Sequence, residues 1–188
     1  MLTIETVTGP VAAHRLGSVL PHEQVFHLSE DFRINFLPEW DEEAQVAAAA
    51  AQLRELKELG VDTLFDVSVF GVGRRVDRVR RVAEASGVNI VVATGIYTYN
   101  ELPFQFHYNG LGLGSDTPDP LEELLIRDLT VGIAATGIKA AFLVCVIEAE
   151  GLTDGVERVM RAVGRASVAT GAPIVVHTNP HTRSGLVA

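Results

Sequence analysis

Asn89-Ile90-Val91-Val92-Ala93-Thr94 decides the fold class, because this run shows no alternation of apolar and polar residues. A strand with one wet face alternates, whereas a strand apolar on both faces belongs to a parallel sheet covered by helices. The flanks agree. Upstream, residues 74–85 read as a basic amphipathic helix closed by Gly87, and downstream residues 121–135 read as another helix. Residues 95–120, between them, read as a long loop rich in Tyr, Phe and Gly.

The same alternation continues outward. Residues 61–69 read as an apolar strand carrying Asp62 and Asp66, preceded by an Ala- and Leu-rich helix over 42–59 that ends at Gly60. Residues 18–25 read as a first core strand, and residues 2–16 as a small β-ribbon turning at Gly9-Pro10. Towards the C-terminus come a near-continuous apolar strand over 138–147, a helix over 154–170 capped by Thr153 or Asp154, and a fifth strand over 172–177. The expected class is α/β, and two architectures fit: an open doubly wound sheet, or a TIM-type (β/α)8 barrel present in part, with about five parallel strands. No Gly-x-Gly-x-x-Gly follows a strand, so a dinucleotide site is unsupported. Barrel enzymes keep their functional residues at the C-terminal strand ends, and His22, Asp66, Tyr97 and His177 all fall there. The pattern favours the partial barrel, as a single domain over residues 1–188.

Bulk properties exclude several classes. With 47% hydrophobic and 21% charged residues in 188, the chain has the composition of an ordinary globular domain with one sizeable core. A formal net charge of −9 argues against nucleic acid, which calls for clustered Lys and Arg. No apolar run reaches the roughly 18 residues of a membrane span, and the N-terminus lacks the zones of a signal peptide. The single cysteine, Cys145, rules out an internal disulfide framework and suits a reducing, cytoplasmic setting.

The chemistry starts in Val19-Leu20-Pro21-His22-Glu23-Gln24-Val25-Phe26. Positions i and i+2 on a strand share a face, so a His-x-His pair there could grip one metal ion. Here the pair reads His22-x-Gln24. Imidazole is a strong ligand for zinc-like metals and a neutral amide oxygen a poor one.

With Leu20-Pro21-His22-Glu23, four further stretches, Gly60-Val61-Asp62-Thr63, Val91 through Asn100, Gly137-Ile138-Lys139-Ala140 and Glu150-Gly151-Leu152-Thr153, together with Thr170-Gly171-Ala172-Pro173 leading into His177-Thr178-Asn179, carry a resemblance. In order and spacing they resemble the phosphotriesterase family, including its lactonase-like members, within the amidohydrolase superfamily. The resemblance implies a (β/α)8 barrel and a hydrolase of lactones or of organophosphate or carboxylic esters. It also implies two zinc or similar divalent ions sharing a hydroxide, which lower its pKa and polarise the ester oxygen. Carried over residue by residue, His22 matches the first ligand of the strand-one pair and Gln24 replaces the second. His177 matches the strand-five ligand, and Val144 stands where a carbamylated Lys would bridge the ions. The strand-six His and strand-eight Asp have no counterpart before Ala188, and the last three β/α units of the family pattern are missing. No catalytic residue is assigned.

Other residues are weighed against that pattern. Lys139, read as lying on the Val144 strand, is at an odd offset and roughly 16 Å lower, so it cannot bridge. Glu148 shares the face of Val144 but is expected beyond the strand end, while His181 and Asn179 lie close enough to His177 to move inward. His14, His27, His107 and His181 read as ordinary polar residues, His27 because of its odd offset from His22. Cys145 reads as a core thiol pointing away from the site, and Asp62 and Asp66 as ties to backbone and loops. Tyr97 and Tyr99, after the third strand, are candidates to line a substrate pocket. Trp40 and residues 32–36 are candidates for the pocket mouth or a dimer contact. The inner sheet face is expected from Val19, Phe65, Val67, Val92, Leu143 and Val175. Three functional readings follow: a metal-dependent hydrolase of a small-molecule ester or lactone, a non-catalytic relative, or a truncated fragment without activity. The exposed edges of a partial barrel also predict a homo-oligomer.

Overall fold

The computed structural model describes residues 2–104, Phe106 and 119–187. His107, read above as an ordinary polar residue, lies outside the described residues. An antiparallel ribbon opens the chain, β1 (Thr3–Thr6) with β2 (Gly9–Ala12). Five strands then form one parallel sheet in chain order: β3 (Val19–Glu23), β4 (Thr63–Asp66), β5 (Asn89–Gly95), β6 (Phe142–Ile147) and β7 (Ile174–Thr178). The connecting helices are α1 (Glu30–Phe36), α2 (Glu42–Glu58), α3 (Val76–Ser86), α4 (Pro120–Thr130) and α5 (Asp154–Thr170). Strand order that follows chain order, each strand beside its predecessor, is the half-barrel expected from the sequence and not the reordered sheet of a doubly wound fold.

The helix ends follow from local chemistry. Asp41, Asp119 and Thr153 each accept a hydrogen bond from a backbone N–H in the first turn of α2, α4 and α5. Gly87 and Gly171 close α3 and α5 in left-handed conformations. Strands are shorter than the apolar runs suggest. The run at 61–69 pairs only over Thr63–Asp66, and the run at 138–147 only from Phe142, so Lys139 precedes the strand. The ribbon turns at Val7-Thr8, because Thr6 pairs with Gly9 and puts Gly9-Pro10 inside β2. Helix α1 was hidden in the sequence: Phe32, Ile34 and Phe36 alternate as in a strand, and all three are exposed.

Three apolar clusters hold the layers. One packs α2 and α3 on the outer face of the sheet through Leu53, Val79, Val82, Ile90 and Val92. A second packs α4 and α5 on β6 through Leu125, Leu143, Cys145, Val159 and Val163. The third lines the concave face with Val67, Val91, Ala93, Phe142, Val144 and Val146, joined by Phe65 and Val175. Val92 and Leu143 therefore point outward, towards the helices, and not inward as expected. Phe65 pairs with Val91 and Val144 with Val175, and residues paired across a parallel ladder share a face. Ile4 of the ribbon packs against the inner cluster, and the Val7 N–H donates to the Ile90 carbonyl at 2.9 Å, closing the N-terminal end of the half-barrel.

Candidate active site

At the other end of the sheet a cavity of about 370 Å³ opens, lined by His22, Glu23, Gln24, His27, Val67, Tyr97, Val144, Val146 and His177. Its geometry starts with a bulge. Leu20 is opposite Leu64, but Glu23 is opposite Asp66, so β3 carries one extra residue. Pro21, which has no N–H to give the ladder, sits in that irregular stretch. The bulge places His22 on the lumen side at one edge of the sheet. His177 reaches it from the other edge: its Nδ1 lies 3.2 Å from His22 Nε2, with the rings stacked at 5.3 Å between centroids. The curl of the sheet has brought residues 155 positions apart into contact.

Glu148, one residue past β6, anchors this pair. His177 Nε2 lies 3.2 Å from Glu148 Oε1. The Tyr97 hydroxyl donates to the same oxygen at 3.0 Å, and the Asn179 amide donates to Oε2 at 2.9 Å. Asn179 is itself held, since its Oδ1 accepts from the backbone N–H groups of His181 and Thr182. The bond from Asn179 holds the Glu148 carboxyl below the usual carboxylate range against the opposing effect of burial, and Tyr97 and His177 add to it. Burial, Glu148 and Tyr99 push the Tyr97 hydroxyl above its ordinary range, so it stays a donor. Tyr99 sits edge-on to Tyr97 at 5.7 Å and is 53% exposed, at the rim rather than in the cavity lining.

The floor is apolar. Val144 is buried between the Val67 and Val146 sides of the cavity. Gly95 lies against it: a Cβ there would come within 1.9 Å of the Val144 carbonyl oxygen, so only glycine lets β5 and β6 approach so closely. Gln24 lines the cavity, but its Oε1 is engaged by His27 Nδ1 at 2.9 Å. His27 thus belongs to the site although its offset from His22 predicted otherwise, because β3 ends at Glu23 and strand parity no longer applies beyond it. Cys145, the neighbour of Val144, points into the outer core, where burial pushes its thiol up to about 11. Asp62 and Asp66 accept backbone N–H groups, from Ser18 and from Val25 and Ser68.

The donor set does not fit a pair of metal ions. The strand-four position that would supply a bridging anion is a hydrocarbon, the amide at Gln24 is a weak ligand already bonded to His27, and the ring nitrogens of His22 and His177 face each other. Among the described residues no three His, Cys, Asp or Glu side chains are arranged to hold a metal ion. The candidate ligands His22, Gln24 and His177 and the bridging position Val144 do share one cavity, which His27 also lines; Glu148, held by Asn179, bonds to His177.

A parallel half-barrel with its polar cavity at the C-terminal strand ends is the architecture of part of a (β/α)8 barrel. The chain belongs to the phosphotriesterase family, whose model matches residues 2–188. It is 49% identical over 187 residues to a phosphotriesterase homology protein of Mycobacterium tuberculosis, covering 99% of this chain and 57% of that protein. It is 33% identical over 171 residues to an aryldialkylphosphatase of Saccharolobus solfataricus, covering 91% of this chain and 52% of that one. The structure of the phosphotriesterase from Mycobacterium tuberculosis superposes with a TM-score of 0.95 at 48% identity, over 99% of this chain and 58% of that chain. The chain thus spans little more than half the length of these relatives. No helix among the described residues is long and apolar enough to cross a membrane.

Proposed function

We propose that this chain keeps the small-molecule cavity of a phosphotriesterase-family hydrolase without its two-metal reaction. The carrying observation is the cavity floor and its polar end taken together: Val144 where a bridging anion would stand, and His177 engaged at both ring nitrogens, by His22 and by Glu148. Ligands of the kind the family suggests, small esters and lactones, fit a cavity of about 370 Å³ with one apolar wall and one polar end. Tyr97 and Tyr99 are the residues proposed to contact them. The test is turnover of a γ-lactone and of an aryl phosphotriester with zinc or cobalt supplied. The expected rate is no higher than that of the free metal, for the native chain and equally for Gln24→His with Val144→Lys. Elemental analysis after dialysis should give less than one tightly held ion per chain. Turnover abolished by His22→Ala would establish the alternative, an active hydrolase, which the convergence of His22 and His177 favours. The lone buried cysteine supports a cytoplasmic setting.

A further inference from the structure

The cavity has two levels, fixed by strand register. On the lumenal face of β6, Val144 is followed two residues later by Val146. Val144 lies opposite Gly95 of β5 and Val175 of β7, whereas Val146 lies opposite His177. Two residues along a strand span about 7 Å, so Val144 is that much deeper than His177. Tyr97, whose hydroxyl reaches Glu148 beside His177, shares the upper level. At the lower level the lining is hydrocarbon, and β5 adds no side chain there because its residue is Gly95. The bottom is also narrow: Val144 and Val146 are 2% exposed and Val67 7%. Only the slim end of a ligand can reach them.

We propose that the cavity takes a short unbranched alkyl group end-on against Val144, and that Val144 sets the length of alkyl group admitted. The polar part of the ligand then lies among His22, Gln24, His27 and Tyr97, which between them offer both donors and acceptors and so do not choose it. The ligand class is small amphiphiles: lactones, esters or alcohols bearing a short linear alkyl group. The side chain that stands in place of a bridging anion supplies the surface that selects them. The inference rests on the reading of the cavity as a pocket without a metal pair.

The depth can be changed at one residue without touching the polar level. Val144→Ala removes two methyl groups from the bottom, and Val144→Ile adds one. Each CH2 group of a ligand that leaves water for this hydrocarbon tightens binding about fourfold. The gain stops where the chain meets residue 144. A branched isomer of equal carbon number has the same apolar content but is too wide for the narrow end, so it forfeits the contact of at least one CH2 group.

The experiment uses the chain with 13C-methyl-labelled valine in EDTA, titrated with γ-lactones that carry a methyl, ethyl, propyl, butyl or isopropyl group on the ring. Methyl spectra give both the affinity and the place of binding. Affinity should rise about fourfold per CH2 group along the linear series and then level off, and the isopropyl lactone should bind about fourfold weaker than the propyl one. Nuclear Overhauser contacts should join the terminal methyl of the ligand to Val144 and Val146. Val144→Ala should move the levelling-off one CH2 group later, and Val144→Ile one earlier. Contacts from the terminal methyl to Tyr99 at the rim instead of to the valines, equal binding of the propyl and isopropyl lactones, a levelling-off that ignores the size of residue 144, or no binding by any of the series each overturn the proposal. If neither variant folds, the native contacts and the native series decide alone. Turnover with added zinc that His22→Ala abolishes, while the contacts to Val144 stand in EDTA, would instead overturn the metal-free reading beneath it.

Discussion

Two charged clusters in this molecule are built from similar parts and do opposite things. Outside the sheet, Arg78 is sealed: its side chain is 0% exposed, and it donates to Glu42 at 2.7 Å and to Glu30 at 2.8 Å. The guanidinium lies over the rings of Phe26 and Trp40, at 5.3 and 5.1 Å from their centroids, and the Trp40 indole N–H donates to Glu42 at 2.7 Å. Inside the half-barrel, the His22–His177–Glu148 chain opens onto a cavity, and His177 is 35% exposed at its side chain. The first cluster spends its charge on cohesion. It ties the segment after β3, which carries Phe26, Glu30 and Trp40, to α2 and α3. The second ends at the cavity, which His22 and His177 both line. A charged group that is closed on all sides supports structure, and one that ends at a cavity is available for binding.

The largest expected effect comes from breaking the closed cluster. Arg78→Ala removes the one group that Glu30 and Glu42 share. Burial works against the charge of Glu30, and Arg78 and Arg33 bring its pKa below the ordinary value. Losing one partner of a buried ion pair costs about 3–5 kcal/mol, and the partial exposure of both carboxylates places this case near the lower figure. Urea unfolding should show the loss. A change below about 1 kcal/mol would mean that Arg78 is not the clamp described here.

An intermediate effect, visible only through pH, is expected at Asp66. This carboxyl is buried beneath the cavity end of β4, and burial raises its pKa despite bonds from the Ser68 and Val25 N–H groups. A raised folded pKa means that the folded state holds the proton longer than the unfolded state. The contribution of Asp66 to stability is thus fully present below its unfolded pKa and is lost as pH rises through the folded value. The native chain should lose stability relative to Asp66→Asn across that window. A difference that grows in favour of the native chain as pH rises would reverse the sign and sink the account.

The sequence carried the helix–strand order well and the two clusters poorly. Apolar runs and capping residues are local, so α5 falls on residues 154–170 as read, and Cys145 is in the outer core. Which face Val92 and Leu143 take depends on register between strands, which local pattern does not encode. Arg78 finds its carboxylates 36 and 48 positions away, with nothing in the local sequence to announce them. Glu148 and Asn179 were visible as neighbours of the expected site, but their bond to each other exists only once β6 and β7 lie side by side. His27 was misplaced because alternation was extended past the end of a strand.

The smallest stability effect is expected from Glu148→Gln, and it sharpens the comparison most. Glutamine is isosteric with the original, and the side chain, one position past β6, is 16% exposed. Its two polar atoms find partners: the amide oxygen can accept from Asn179, and the amide nitrogen lies beside the Tyr97 oxygen and His177. Exposed or half-exposed substitutions without a cavity or an orphaned buried charge stay within about 0.5 kcal/mol. The midpoint of urea unfolding should therefore barely move while the imidazole resonances of His22 and His177 change. If Glu148→Gln destabilised the fold as much as Arg78→Ala, the inner network would be a second structural clamp, and the contrast between a closed and an open cluster would not hold.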